Sequence, residues 1–396
     1  MGGVPAMPAI DTAERRRRIA VRHHLAPAQR GSDVAAVAAD LVGLHASDPA
    51  SVYLGAFARV AQLTHEDMAR ALYEERSLLK VLGMRRTMFA TTPEIAGIIT
   101  AAATRAIAGA ERRRLIQMLT DAGVATDIEE WLADVEAATL TALEELGQAT
   151  ATELTKRVPG LRVQVEFGAG KKWAGKVGVS TRMLFLLAAE ARVIRGRPRG
   201  SWLSSMYAWA PMDRWVSGGL VEPPTDAARA ELVRRWLTAF GPGTQRDIQW
   251  WTGWTVAVVG QALADAGAVE VMLDQGRGFA LADDLAPTPA TEPWIALVPS
   301  LDTTTMAWKE RDWYLGNHAA RLFDTIGNAG PTIWDDGRIV GGWGMRRTGE
   351  IAYQLLEDVG RDREWAIQAE VFRLQDWIGA SRVIPRFRTP LELELT

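Results

Sequence analysis

The chain has 396 residues, with 45 Lys and Arg against 48 Asp and Glu, and no Cys. That length is too great for one simple core, so two to four domains are expected, and the missing Cys excludes a disulfide framework, a thiol nucleophile and a thiolate metal site. A formal net charge of −3 excludes a uniformly basic, histone-like protein, so any grip on nucleic acid must come from local patches.

Taken in chain order, residues 11–30 read as a basic helix carrying Arg15, Arg16, Arg17, Arg18 and Arg22 ahead of His23 and His24. Its flank lacks the apolar core of a secretory signal, and no stretch has the apolar length of a membrane span; a cytoplasmic protein is expected. A second helix is predicted from Asp33 to Leu44, with Val34, Val37, Leu41 and Val42 on one face. Asp48 and Pro49 have the chemistry of an N-cap and a first helical residue, opening a third helix to about Gln62. Thr64 with Asp67 makes a capping-box start for a fourth. Residues 77–84 and 85–91 read as two strands, and Thr92-Pro93 opens another helix.

An acidic helix follows from Thr126 to Leu146. Its unbroken run of carboxylates is expected to face away from any phosphate. Thr150 and Glu153 then cap a short helix, and residues 180–191 form a second, giving a helix-turn-helix. Strands at 192–195 and 201–209 flank an arginine-studded tip, Arg195-Gly196-Arg197-Pro198-Arg199-Gly200, so the unit reads as a winged helix. Between residues 156 and 199 stand eleven Lys or Arg and two acids, Glu166 and Glu190. A phosphate backbone accounts for that local excess through counterion release. Arg182 is the best placed contact on the candidate recognition helix, and Gly168-Ala169-Gly170-Lys171-Lys172 reads as a basic loop near DNA. A third copy of the pattern spans helices at 226–240, 244–251 and 255–266 and a weakly basic wing at 269–282. After the linker Ala286-Pro287-Thr288-Pro289 the chain becomes β-rich, with strands at 294–298, 332–334, 338–343 and 350–356. Asp335-Asp336-Gly337 serves as a hairpin turn. A helix at 362–378 and a strand-like tail end the chain.

The predicted fold is therefore α+β: tandem winged helix-turn-helix domains followed by a β-rich, barrel-like C-terminal domain. The expected segments are residues 1–125, 126–222, 223–288 and 289–396. For chemistry, the junction Leu41-Val42-Gly43-Leu44-His45-Ala46-Ser47-Asp48-Pro49 is the richest stretch. It offers an imidazole, a hydroxyl and a carboxylate within four positions. Ser47 and Asp48 have a plain alternative role as capping residues, and a lone His is most often packed against a carbonyl. No zinc-binding spacing, nucleophile elbow or phosphate loop appears, so neither metal nor organic cofactor is expected. Arg85 and Arg86 on the first hairpin, and Lys309-Glu310-Arg311, are further candidate phosphate contacts.

Four motifs occur in a telling order: the His45 junction, Met84-Arg85-Arg86-Thr87, Leu297-Val298-Pro299-Ser300-Leu301-Asp302 and Asp336-Gly337-Arg338-Ile339-Val340-Gly341-Gly342-Trp343. In this the chain resembles the bacterial winged-helix family that includes the AlkZ and YcaQ DNA glycosylases, over nearly its whole length. The resemblance implies tandem winged helices with a β-rich C-terminal domain, and excision of bulky or crosslinked alkylpurines, including adducts of genotoxic natural products. The family's catalytic Gln-x-Gln or Gln-x-Asp falls on His45-Ala46-Ser47, where neither end matches.

The expected protein is a monofunctional glycosylase for bulky N7-alkylguanine adducts, serving DNA repair or self-resistance. Its expected partner is double-stranded DNA carrying a bulky alkylated purine, with no membrane and a monomeric state. His45, Ser47 and Asp48 would be catalytic, and Arg182, Arg195, Arg197, Arg199, Lys171, Lys172, Arg85 and Arg86 would hold DNA. The rival readings are a non-enzymatic winged-helix regulator and a protein that sequesters a drug or its adduct.

Overall fold

The computed structural model describes residues 7–167, 175–385 and 387–396. Local chemistry sets most element starts. Asp11, Asp33, Asp48 and Thr255 each accept a hydrogen bond from a first-turn amide of the helix they open, and Thr64, Thr150 and Thr244 close full capping boxes with Asp67, Glu153 and Asp247. The acidic helix starts two residues later than predicted, at Ile128–Leu146, because Asp127 caps it, its side chain accepting the Glu130 amide.

The first sheet has three antiparallel strands. Leu44–His45 lies beside Met88–Thr91, which pairs with Leu79–Leu82. The second helix is correspondingly shorter than predicted, Val34–Asp40. Val42 adopts a left-handed backbone (φ 62°), which turns the chain out of the helix and into the sheet. His45 thus sits on a strand opposite Phe89 and not at a helix end. A similar plan recurs further on: Ala149–Thr150 pairs with Tyr207–Pro211, which pairs with Val193–Pro198. A third hairpin joins Ala268–Leu273 to Gly276–Leu281.

One expectation is corrected between residues 150 and 190. The helices Ala151–Arg157 and Val179–Ala189 are not joined by a simple turn. A short helical turn, Pro159–Arg162, and an antiparallel hairpin, Gln164–Phe167 with Gly175–Gly178, stand between them. The β-branched Val163, Val165 and Val177 favour extended backbone there. Residues 168–174, with Lys171 and Lys172 of the expected basic loop, lie outside the described residues.

In the C-terminal segment, Ile295–Val298, Thr332–Asp335, Arg338–Met345 and Ile351–Leu355 form one antiparallel sheet in sequence order. It is an open four-stranded sheet and not the expected barrel: its two outer strands do not pair with each other. The predicted strand-like tail is instead the helix Pro390–Leu395, which has proline at its first position. It docks on the sheet where Gly342 and Gly344 leave room. A Cβ on Gly342 would meet Leu391 at 2.6 Å, and one on Gly344 would meet Glu392 at 3.2 Å.

Two large apolar clusters hold the molecule together, beside a small one of Ile10, Val271, Leu273 and Ala280. One draws on Ile19–Ala108, then on residues 189–391, and so joins the first sheet, the third hairpin and the C-terminal sheet. The other is confined to residues 115–209. Between the first sheet and the C-terminal segment lies a buried bidentate ion pair. Arg59 donates to both Asp302 oxygens (2.8 and 2.6 Å), to Thr304 Oγ1 and to the Gly55 carbonyl. Among the described residues, no helix is long and apolar enough to cross a membrane.

Candidate active site

Asp48 closes the N-terminus of the helix Pro49–Phe57, its Oδ1 accepting the amides of Ala50 (2.9 Å) and Ser51 (3.3 Å). Just before it, the exposed Ser47 accepts the Met88 amide on its Oγ (3.2 Å), extending the sheet by one hydrogen bond. Capping therefore accounts for one Asp48 oxygen and leaves the other available. Ser47, Asp48 and Pro49 line a cleft of about 1010 Å³. The arginine-tipped hairpin brings Arg195, Arg199, Tyr207 and Trp209 to it, and the helix Ala151–Arg157 brings Lys156. Ser300, Leu301 and Asn328 come from the C-terminal segment, together with Ile384 and Phe387 of the tail.

The cleft is cationic and apolar at once. Arg195 lies over the rings of Tyr207 (5.1 Å) and Trp209 (5.4 Å). Burial lowers the pKa of its guanidinium, while nearby Tyr207 raises it. Arg199 is 3.6 Å from Glu153, a loose, exposed pair. Met206, Ile384 and Phe387 are large apolar side chains left exposed around this space. Burial raises the Asp48 carboxyl above its ordinary range, partly offset by the two amide hydrogen bonds.

His45 stands apart from that lining. It is 9 % exposed, its ring lies 6.1 Å from Phe89, and its Nδ1 has no hydrogen-bond partner. Its amide donates to Thr303 Oγ1 (3.0 Å), which in turn donates to the Gly43 carbonyl. Burial, with a smaller contribution from Arg85, lowers its pKa to about 3, so the ring is neutral at any cellular pH.

The remaining sequence-predicted cations fall in different places. Arg197 reaches Glu74 (2.7 Å) and lies over Tyr73. Arg85, left-handed at the hairpin tip (φ 52°), stacks on Trp250 at 3.9 Å, and Arg311 covers the same indole at 4.9 Å. Arg86 pairs with Glu111 (2.9 Å). Arg182 is half-buried near Glu111, Arg86 and Arg114, and its Nε lacks a partner. The structure thus brings Ser47, Asp48, Arg195 and Arg199 together and sets Arg85, Arg86 and Arg182 elsewhere. Sequence reasoning missed Lys156, Ser300, Asn328, Met206 and Phe387 as cleft residues. Ser300 lay in a motif already singled out and Lys156 in the basic stretch from 156 to 199; Asn328, Met206 and Phe387 carried no local signal. Among the described residues, no group of three or more His, Cys, Asp or Glu gathers as a metal site would require.

Repeated helix-and-hairpin units thus frame a carboxylate-bearing cleft edged by cations. Residues 38–377 match the family described as DNA glycosylase AlkZ-like, and the chain belongs to that family. Its fold is similar to that of the DNA glycosylase AlkZ of Streptomyces sahachiroi, with a TM-score of 0.69 over 94 % of this chain and 97 % of that one, at 21 % sequence identity. No curated protein matches the sequence.

Proposed function

We propose that this member of the family hydrolyses the N-glycosidic bond of a bulky N7-alkylguanine in duplex DNA, as a monofunctional glycosylase acting in repair or self-resistance. The observation that carries the reading is Asp48: a carboxylate with one oxygen free, in the wall of a cleft that also presents Arg195, Arg199 and exposed apolar side chains. N7 alkylation puts positive charge on the base, so the bond's electron pair leaves with the guanine and neutralises it. An oxocarbenium-like sugar remains. An anion beside C1′ stabilises that cation, and water completes the reaction by adding at C1′ and giving up a proton. The chemistry needs no metal or organic cofactor because the leaving group is already activated.

In this reading Asp48 supplies the charge and accepts the proton, Ser47 orients the water, and neutral His45 contributes an acceptor behind them. Arg199 and Lys156 hold phosphates, with Arg182, Arg197, Arg85, Arg86, Lys171 and Lys172 extending the basic surface. The units around residues 44–91, 149–211 and 244–281 act as winged helices. Met206, Ile384 and Phe387 cover the apolar body of the adduct, which removes apolar surface from water on binding.

The test is incubation with a duplex oligonucleotide carrying one defined bulky N7-guanine adduct, followed by alkali to cut abasic sites. The wild type is expected to give strand cleavage at the lesion, and His45→Ala and Asp48→Asn to lose it. Wild-type protein that binds duplex yet yields no abasic product from any such adduct would leave a DNA-binding protein without this chemistry. His45→Ala with full activity would remove the imidazole from the mechanism.

A further inference from the structure

Asp48 also lines a second and much smaller cavity. Its volume is about 10 Å³, room for the centre of a single water. The polar residues around it are Asp48, Ser51, Ser300 and Glu392. Asp48 and Ser300 line both this cavity and the open cleft, so they form the partition between the two.

Two of these groups have unused hydrogen-bonding capacity. Ser300 Oγ and Glu392 Oε2 are buried without a partner, in residues only 4 % and 2 % exposed. Ser51 is already committed, its Oγ donating to the Ser300 carbonyl (2.8 Å). Asp48 has its Oδ1 on two amides and, among the described residues, no hydrogen-bond partner on its Oδ2. Orphaned buried polar atoms around a water-sized space are what an internal water satisfies, typically with about three hydrogen bonds.

We propose that Ser300 and Glu392 hold one buried water against Asp48, and that the two carboxyl groups share a single proton across it, making Glu392 a positioning residue for Asp48. The existence of the water stands on the cavity alone; its consequence for rate rests on the glycosylase reading. Electrostatics agree. Burial, with a smaller contribution from the charge of Asp48, pushes the Glu392 carboxyl up to about 7, against the opposing pulls of Arg388 and the Thr389 amide. Among the described residues, the other cations on elements packed against it are engaged elsewhere: Arg321 with Glu394, Arg338 with Glu357 and Arg346 with Glu350. Below neutrality Glu392 keeps the proton and donates to the water, which donates on to Asp48 Oδ2. The negative charge then sits on the cleft side. As Glu392 ionises, its charge makes Asp48 a stronger base and the site more anionic, so bond cleavage gains while duplex binding is little changed.

Three measurements test this. A high-resolution crystal structure should show one water within hydrogen-bonding distance of Ser300 Oγ and the Glu392 carboxyl; a dry cavity overturns the proposal. Carboxyl ¹³C NMR should show Glu392 titrating near 7, moving to lower pH in Asp48→Asn, where asparagine still caps the helix; an unmoved midpoint overturns the shared proton. With the adducted duplex, the wild-type single-turnover rate should rise severalfold through pH 7, and Glu392→Gln, checked for an unchanged melting curve, should lose that step without a change in duplex affinity. A retained step overturns the positioning role. If the wild type cleaves nothing at any pH, the glycosylase reading fails, while the water and the titration still decide the site.

Discussion

Asp48 and His45 are three positions apart and fare differently on folding. Asp48 is held by two amides at the mouth of the cleft, whereas His45 is enclosed with one nitrogen unpaired. Asp48→Asn keeps a side chain able to cap Pro49–Phe57, so the variant should fold normally and bind duplex. Cleavage should fall by about 10²–10⁴-fold, the usual worth of a lost general base, measured by single-turnover assay. His45 makes a different prediction. Its folded pKa of about 3 is below that of the unfolded chain, so the unfolded state takes up the proton first as pH falls. Its contribution is whole above about pH 6.5 and is lost progressively towards pH 3, on the order of 5 kcal/mol at about 1.4 kcal/mol per unit. Burial shifts His23 in the same direction. Urea denaturation across this range should show a smaller loss for His45→Leu than for the wild type; equal losses would mean the imidazole is hydrated in the folded protein.

At the scale of elements, basic character and a place in the cleft wall separate. The N-terminal helix Thr12–Arg22 has the densest run of arginines, yet they are spent within the molecule. Arg15 stacks on Trp313 at 3.8 Å, Arg16 donates to the Trp313 carbonyl, and Arg18 and Arg22 both reach Asp284. Carboxylates of the acidic helix are partly neutralised as well, with Glu136 between Arg112 and Arg192. Arg199 on the hairpin and Lys156 on the helix Ala151–Arg157 instead share the cleft lining. Replacing both by alanine should weaken binding evenly across duplex sequences. It should also reduce the slope of log affinity against log salt by about 2, near 0.9 per phosphate contact. Fluorescence anisotropy at several salt concentrations measures this, and an unchanged slope would place the DNA elsewhere.

Across the whole molecule, the cleft exists because distant segments are fixed to one another. Arg59 and Asp302 are 243 positions apart and meet in a bidentate, fully buried pair beside Ser300 and Leu301. Asp302→Ala would strand a buried guanidinium, and a loss of about 3–5 kcal/mol in unfolding free energy is expected. Thermal and urea unfolding should register it, together with a loosened cleft; a loss under about 1 kcal/mol would mean that water reaches Arg59. Much of the secondary structure on either side was legible in the sequence, since capping boxes at Thr64, Thr150 and Thr244 and the Asp336-Gly337 turn act over three or four residues. Misreadings arose where a short segment obeyed its neighbours: Leu44–His45 became a strand because Met88–Thr91 was there to pair with it.

The sequence alone determined where helices begin, which hairpins turn, that positive charge concentrates between residues 156 and 199, and, through the order of its motifs, the family. These are matters of local bonding, periodicity and composition. Only the tertiary structure decided which charges face the cleft, that His45 is enclosed while Asp48 is not, and that the tail folds as a helix. Glu392 is the clearest case. Nothing in Leu391-Glu392-Leu393 marks a special carboxyl, and its character comes from docking on the strand at Gly342 and Gly344, beside Ser300 and Asp48. Burial and the proximity of another charge are properties of packing, and no local run of residues encodes them.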